Sequence, residues 1–139
     1  MKLELITLTG EKLSEEVYEV TLPTRAGEIS VFPGHETLTT IATDGVLYVR
    51  RKKSDVDAAR EVFAINGGVV QVSPALVRIL VDEAEAAEEL VAHEIEEALA
   101  RAKKLREEAK DAVSISEAEA LMNRAAVRLK VANLRRRNH

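Results

Sequence analysis

The segment Ala26-Gly27-Glu28-Ile29-Ser30-Val31-Phe32-Pro33-Gly34-His35 predicts a short β-strand that ends in a tight turn. Ile29 and Val31 point to one face of an extended strand, and the residues that follow each of them point to the other face. Pro33-Gly34 is a common turn pair, because proline presets φ and glycine tolerates a positive φ. The segment therefore predicts a half-buried strand, with His35 on the shoulder of the turn and near the surface.

Short apolar segments lie on both sides of this strand, separated by turn residues. They are Met1–Leu5, Val17–Leu22, Leu38–Ala42, Val46–Val49, Val62–Ile65, Val69–Val72 and Leu76–Val81. We interpret Asp44-Gly45 as a hairpin turn and expect Val62–Ile65 to pair with Val69–Val72 across Asn66-Gly67-Gly68. Seven or eight short strands with no helix-length segment between them predict an antiparallel β-sandwich or barrel.

The composition changes after Pro74. All six glycines, all three prolines and all four aromatic residues lie at or before this residue, and Ala, Leu, Glu, Lys and Arg dominate beyond it. Helix formers without a breaker predict long helices. We therefore expect an α+β protein with a β-sandwich domain at residues 1–84 and a C-terminal antiparallel α-helical hairpin at residues 85–139.

Two apolar stripes with helical spacing support the hairpin. The first consists of Val91, Ile95, Ala98, Ala102, Leu105 and Ala109, and the second of Ala118, Met122, Ala125, Leu129 and Ala132. Ser114 with Glu117, or Ser116 with Glu119, fits a capping box for the second helix. Acidic residues crowd the start of the first helix and every charged residue after Glu119 is basic. This arrangement complements the helix dipoles, and it also provides a basic helix for an acidic partner.

The sequence carries no catalytic or cofactor motif. It has no cysteine, no Walker loop and no metal-binding histidine pair with a third ligand nearby. His93 and Glu97 are better explained as a solvated helix face than as metal ligands. A net charge of −4 disfavours general nucleic-acid binding. No apolar run is long enough to span a bilayer. We expect a protein that binds partners and is not an enzyme, with no cofactor.

Four segments in a fixed order resemble the epsilon subunit of F-type ATP synthase. They are Gly27–His35, Asp44-Gly45-Val46, Asn66–Val72 and the strand from Val77 to Asp82, and the resemblance extends over nearly the whole chain. It implies a non-catalytic central-stalk subunit whose sandwich binds the gamma subunit and the ring of c subunits. It further implies that the helical hairpin restrains ATP hydrolysis.

The resemblance also implies roles for individual residues. Glu28 is expected near the polar loops of the c ring, and His35 near gamma. The basic residues of the second helix, which include Arg124, Arg128, Lys130 and Arg135, are expected to meet gamma together with an acidic segment of the beta subunits in the catalytic alpha/beta assembly. The implied location is peripheral, at the cytoplasmic face of the bacterial plasma membrane, as part of the proton-transporting synthase.

One motif of the family is degenerate in this chain. Some members bind ATP through an Ile/Leu-Asp-x-x-Arg-Ala motif at the start of the first helix. The matching positions here are Leu90, Val91, Glu94 and Ile95. A valine replaces the aspartate and a glutamate replaces the arginine, so we expect polyphosphate binding to be disfavoured.

Two other classes of function remain open on the residues alone. A free-standing small-molecule sensor would use the sandwich as a scaffold and the hairpin as a helical lid, and it would need a convergent polar pocket. An enzyme of unknown type would need a nucleophile paired with a base, and the sequence contains no motif that supplies such a pair.

Overall fold

Ten β-strands precede two α-helices, and the computed structural model describes the backbone of residues 1–137 and the side chains of residues 1–134. The chain divides into a first structural unit that ends at Ala86 and a second that begins at Ala87. The strands belong to the first unit and both helices to the second. Each unit is described by itself below.

The strands are short and follow one another closely. They are β1 (Lys2–Thr7), β2 (Gly10–Glu16), β3 (Glu19–Thr24), β4 (Gly27–Val31), β5 (Leu38–Ala42), β6 (Gly45–Arg50), β7 (Glu61–Ile65), β8 (Gly68–Ser73), β9 (Leu76–Val81) and β10 (Ala84–Ala86). A single 3₁₀ turn, Asp57–Ala59, interrupts the polar loop between β6 and β7.

Hydrogen bonds connect the strands in the order β10-β7-β6-β3-β5-β8-β9-β1-β2, and β4 pairs with β3. Only one register pair, Thr24 with Ala42, joins β3 to β5. The path therefore falls into two halves of five strands each, and buried side chains from both halves form one core. Its members include Leu3, Leu5, Val20, Leu22, Leu47, Val49, Ile65, Val70 and Ile79. This arrangement confirms the predicted sandwich, with one parallel pair, β1 with β9, among the antiparallel ones.

Both predicted hairpin pairings are wrong. β7 pairs with β6 and β10, whereas Val69–Val72 lies in β8, which pairs with β5 and β9. In the same way, β5 does not pair with β6 across Asp44-Gly45. The physical reason is that each turn carries the chain from one half of the sandwich to the other. A local turn signal shows where the chain reverses, but it does not show which strand comes to lie alongside.

Two strands were missed by the sequence interpretation. β2 has one apolar residue with an inward role, Leu13, which pairs with Leu5 of β1. The rest of β2 is polar and mostly exposed, so alternation gives almost no signal. β10 has only three residues, and its strand conformation follows from pairing with β7.

The second unit contains the predicted hairpin. Helix α1 (Ala92–Glu108) and helix α2 (Ala112–Arg137) pack against each other through Ile95, Ala102, Ala118, Ala125 and Ala132, all of them buried. Two members of the predicted first stripe are exposed: Val91, which precedes α1, by 53% and Leu105 by 51%. Neither α1 nor the described part of α2 is long and apolar enough to cross a bilayer.

The start of α2 differs from the predicted capping boxes. The helix begins at Ala112, and Asp111 caps it: its carboxylate accepts hydrogen bonds from the Ser114 N–H at 2.8 Å and from the Ser114 hydroxyl at 3.2 Å. These bonds, the backbone one foremost, lower the pKa of the Asp111 carboxyl. The predicted caps, Ser114 and Ser116, both lie inside the helix, because an aspartate three residues before Ser114 already satisfies the first free N–H groups.

Candidate functional site

The Pro33-Gly34-His35 turn is hydrogen-bonded to a neighbouring turn of the same unit. The Gly34 N–H donates a 2.8 Å hydrogen bond to the carbonyl oxygen of Pro74, in the loop between β8 and β9. Gly34 has a φ of 88°, which glycine adopts without the strain of a side chain. The motif thus serves to connect β4 with the β8–β9 loop, which local sequence alone did not indicate.

His35 is half-buried on this turn, and its ring orientation is set by its own chain. Nδ1 lies 2.7 Å from the carbonyl oxygen of Glu36. A carbonyl oxygen can only accept, so Nδ1 carries the proton and Nε2 of the neutral ring is left as an acceptor. Phe32, at the start of the turn, is 42% exposed and packs edge-on against Tyr18, with ring centroids 5.6 Å apart. This corner therefore combines an imidazole acceptor with an exposed aromatic surface.

Glu28 lies at the opposite end of β4 from His35. It is exposed and sits opposite Pro23 of β3. At the rise of an extended strand, Val31 is roughly 10 Å from Glu28, and His35 belongs to the turn that follows Val31, where its N–H donates to the Phe32 carbonyl oxygen at 3.2 Å. One small ligand would not touch both residues.

An apolar row crosses the outer face of the second half of the sandwich. Ile41 of β5 stands opposite Val69 of β8, Val69 opposite Leu80 of β9, and Leu80 opposite Ile6 of β1. The first three are exposed by 43%, 41% and 37%, and Ile6 is half-buried. We call these four residues the apolar row. Aliphatic side chains exposed side by side on three neighbouring strands are typical of a protein-binding surface.

The next row of side chains on this face is polar, and its two charged residues form an ion pair. Thr39, Gln71, Arg78 and Glu4 stand opposite one another on the same face, and Arg78 Nε donates to Glu4 Oε2 at 3.0 Å. The Arg78 and Glu4 charges compensate each other, so this part of the face presents little net field. In a chain with 32% charged residues, such a face suits an uncharged protein surface better than an anionic one.

A groove of about 280 Å³ runs between α1 and α2. Its floor is formed by alanines and by Leu105 and Leu121, and three arginines stand along it: Arg101, Arg124 and Arg128. Arg124 and Arg128 are among the basic residues expected from the sequence to be functional, whereas Arg101 lies in the mixed-charge half of α1 and belongs to no motif. The three come together because the antiparallel packing brings this part of α1 beside the middle of α2.

The positions of the degenerate ATP motif do not form one cluster. Leu90 and Ile95 are buried, whereas Val91 and Glu94 are exposed at the start of α1. Arg101 lies about two turns further along the helix than Glu94. Of the basic residues named on α2, Arg124 and Arg128 are half-buried and Lys130 is exposed. The side chain of Arg135 lies outside the described residues.

Within residues 1–134, no group of three or more His, Asp or Glu side chains is arranged to hold a metal ion. His93 Nε2 and Glu97 Oε1 approach to 3.0 Å on an exposed face of α1. The apolar row and Arg101 are the candidate functional residues that sequence reasoning missed. A signal for the row existed: Ile79-Leu80-Val81 and Val69-Val70 are continuous apolar runs, which are typical of strands covered on both faces.

In a comparison with protein families, residues 1–87 match the family described as ATP synthase, Delta/Epsilon chain, beta-sandwich domain. Among curated proteins, the chain is 35% identical to the ATP synthase epsilon chain of Herpetosiphon aurantiacus. That alignment of 136 residues covers 98% of this chain and 96% of the relative. The similarity therefore extends through both structural units.

Two solved structures contain similar chains. A chain in the cryo-EM structure of the Euglena gracilis mitochondrial ATP synthase (OSCP/F1/c-ring) matches with a TM-score of 0.79 and 25% identity, covering 94% of this chain and 79% of that one. A chain in the central stalk/c-ring structure of the Tetrahymena thermophila mitochondrial ATP synthase matches with a TM-score of 0.66 and 16% identity, covering 95% and 96%. The second match bears on the fold alone.

Proposed function

This chain belongs to the ATP synthase epsilon-chain family, and we propose that it is the central-stalk subunit through which the gamma subunit and the c ring are joined. Epsilon chains are non-catalytic subunits, in agreement with the expectation that this protein is not an enzyme. We further propose that α1 and α2 restrain ATP hydrolysis by the assembled synthase.

The apolar row is the observation that carries this proposal. A central-stalk subunit must hold a rotating partner firmly enough to turn with it, and a lasting contact of this kind needs a desolvated apolar centre. Ile41, Val69 and Leu80 provide such a centre on a rigid sheet. Beside it, the Glu4 carboxylate compensates the Arg78 charge, and Lys2 Nζ lies 3.9 Å from the same carboxylate. The partner assigned to this face is gamma.

Glu28 and His35 are proposed to serve two different contacts. Their separation along β4 fits a subunit placed between two partners. Glu28 is exposed on an edge strand and is assigned to the polar loops of the c ring. The half-buried His35, with its Nε2 acceptor, is assigned to gamma. Contact with the c ring would make the protein peripheral to the membrane, at the cytoplasmic face.

The proposed contact between gamma and the apolar row is tested by placing a charge within the row. Val69→Glu places a carboxylate at its centre, and Val56→Glu makes the same change at a valine that is 68% exposed in the β6–β7 loop. Binding of each purified variant to purified gamma is measured by calorimetry. We expect Val69→Glu to weaken binding at least tenfold, the equivalent of about 1.4 kcal/mol. Equal affinity of the two variants would show that gamma does not use the row.

Single cysteines test the two residue assignments, since the chain contains no cysteine of its own. A photoreactive label on a cysteine at position 28 is expected to capture c subunits in the assembled synthase. The same label at position 35 is expected to capture gamma. If the two positions capture the same partner, the assignment of Glu28 and His35 to separate contacts is wrong.

A further inference from the structure

Leu8 is the most exposed large apolar side chain among the described residues, at 81%. It stands in the turn between β1 and β2, and hydrogen bonds fix that turn. The Thr7 hydroxyl accepts from the Thr9 N–H at 3.3 Å and donates to the Gly10 carbonyl oxygen at 3.1 Å. Gly10 has a φ of 125°, which glycine adopts without the strain of a side chain. The leucine is therefore presented to solvent by a turn of defined geometry.

The turn carries Leu8 just past the end of the apolar row. Ile6, the member of the row on β1, precedes Leu8 by two residues, or roughly 7 Å of extended chain. The Leu8 N–H donates to the carbonyl oxygen of Asp82 at 3.4 Å, so the turn also lies against the residue that follows β9. Leu8 thus adjoins the row where β1 and β9 end. From this position it can fill a pocket in the same partner that covers the row.

The charged residues around Leu8 are mainly acidic. Glu11 follows the turn on β2, whereas Asp82 and Glu83 follow β9, and all three are exposed. Their carboxylates form no hydrogen bond or ion pair with another side chain or backbone group of the described residues. Lys12 is the one basic residue in residues 8–12 and 82–83, so three acids stand against one base. The surroundings of Leu8 are therefore complementary to a basic partner surface.

We propose that Leu8 anchors this chain to gamma by entering an apolar pocket whose rim carries lysine or arginine side chains. The pocket is assigned to gamma because Leu8 adjoins the apolar row, and the inference rests on the proposed contact between gamma and that row. It goes further than the row, since it identifies the side chain that fixes the partner's position and the chemistry of the surface that receives it. A turn already held in one conformation loses little freedom on binding, which suits an anchor.

Truncation of the anchor tests the proposal directly. Leu8→Ala removes the apolar contact, Leu8→Met keeps it, and Val56→Ala makes a matched truncation at a valine that is 68% exposed in the β6–β7 loop. Calorimetry measures the affinity of each variant of the whole chain for purified gamma. We expect Leu8→Ala to weaken binding by about tenfold or more, and the other two variants to bind within about twofold of the wild type. Equal affinity of Leu8→Ala and Val56→Ala for gamma would overturn the proposal.

A stability measurement shows that lost affinity reports on the contact and not on the fold. Leu8 lies outside the core, so the urea midpoint of Leu8→Ala should equal that of the wild type. Fluorescence of Tyr18 and Tyr48, the two tyrosines of the chain, follows the unfolding of the first unit.

Val69→Glu distinguishes failure of the anchor from failure of the row. If Val69→Glu weakens gamma binding and Leu8→Ala does not, gamma uses the row without an anchor at Leu8, and the anchor proposal alone is wrong. If neither variant weakens binding, both proposals are wrong. If Leu8→Ala leaves gamma binding unchanged but reduces self-association of the free chain in analytical ultracentrifugation, the leucine serves a contact between copies, which also overturns the anchor.

Neutral variants of the acidic residues test the basic rim. Glu11→Gln combined with Asp82→Asn should weaken gamma binding roughly two- to fivefold at low salt, the range expected for exposed ion pairs. That difference from the wild type should vanish as the salt concentration rises, whereas the effect of Leu8→Ala should persist, because screening acts on charges and not on apolar contacts. Unchanged or tighter binding of the neutralised variant at low salt would show that the pocket has no basic rim.

Discussion

The backbone N–H of Gly67 donates a 2.7 Å hydrogen bond to the carboxylate of Asp44, 23 residues earlier in the chain. The bond joins the two corners at which the chain crosses between the halves of the sandwich, from β5 to β6 and from β7 to β8. The sequence at both corners predicts hairpin turns. Glycine and aspartate at these positions are compatible both with a hairpin turn and with a crossing between the halves. In this structure, Asp44 accepts a hydrogen bond from the other corner and so stabilises that corner.

Asp44→Ala is expected to destabilise the first unit by about 1 kcal/mol, because the Gly67 N–H loses its partner. The estimate is at the low end for a charged acceptor since Asp44 is exposed. Urea unfolding followed by tyrosine fluorescence measures it, as both tyrosines lie in this unit. Asp44→Asn retains an acceptor oxygen and should unfold close to the wild type; equal losses in the two variants would mean that this bond does not brace the corners.

Gly68→Ala should be far more damaging than Gly67→Ala. A Cβ on Gly68 would lie 1.9 Å from the carbonyl oxygen of Leu80, which is backbone of β9 and cannot rotate away. On Gly67, the nearest atom is the Ala42 carbonyl oxygen at 3.0 Å, a tight contact that a small shift relieves. We expect a loss of about 3 kcal/mol for Gly68→Ala and about 1 kcal/mol for Gly67→Ala, from thermal unfolding of the two proteins. The reverse order would contradict the close approach of β8 and β9.

Sequence reasoning succeeded where the signal was periodic and local. The alternation at Ile29 and Val31 identified β4, and the stripe through Ala118 and Ala125 identified the buried face of α2. It failed on strand partners, because pairing between β5 and β8 depends on which half of the sandwich each strand joins. It also missed the apolar row, since its members belong to four strands whose order only the folded chain reveals.

The Asp111 cap should make α2 sensitive to acid. Hydrogen bonds from Ser114 hold the pKa of this carboxyl below its usual value of 3.8. The stabilisation is therefore fully present above pH 3.8 and is lost as the pH falls through the lowered pKa. A carboxyl-detected NMR titration should find the Asp111 midpoint below 3.8, and Ser114→Ala, which keeps the backbone donor, should raise it only partly. A midpoint at or above 3.8 would contradict the capping bond.

ATP is expected to bind this chain weakly, with a Kd above about 1 mM. Glu94 places a carboxylate at the start of α1 where the motif has a cation, and Val91 offers no polar group. Calorimetric titration of the wild type is compared with the double variant Val91→Asp, Glu94→Arg, in which we expect tighter binding. Micromolar affinity in the wild type would show that other cations, such as Arg101, Arg124 and Arg128 in the groove, supply the phosphate contacts.

The proposed restraint on hydrolysis is expected to depend on the basic charge of α2. Deleting the residues after Ala112 should raise ATP hydrolysis by the assembled synthase while leaving assembly intact, which sets the upper limit of the effect. Replacing Arg124, Arg128 and Lys130 together by glutamine should raise hydrolysis less. Each exposed pair with an acidic partner is worth roughly 0–1 kcal/mol, so three acting together could bias the helices without abolishing their binding.

Salt and a matched variant show whether charge is the cause of that effect. Because screening weakens exposed ion pairs, the difference between the triple glutamine variant and the wild type should shrink as the salt concentration rises. Replacing Lys103, Lys104 and Lys110 by glutamine removes the same charge from α1 and the segment between the two helices, and it should leave hydrolysis near the wild-type rate. If the truncated synthase hydrolyses ATP no faster than the full-length one, the helices of this protein do not restrain hydrolysis, and the basic residues of α2 serve another purpose.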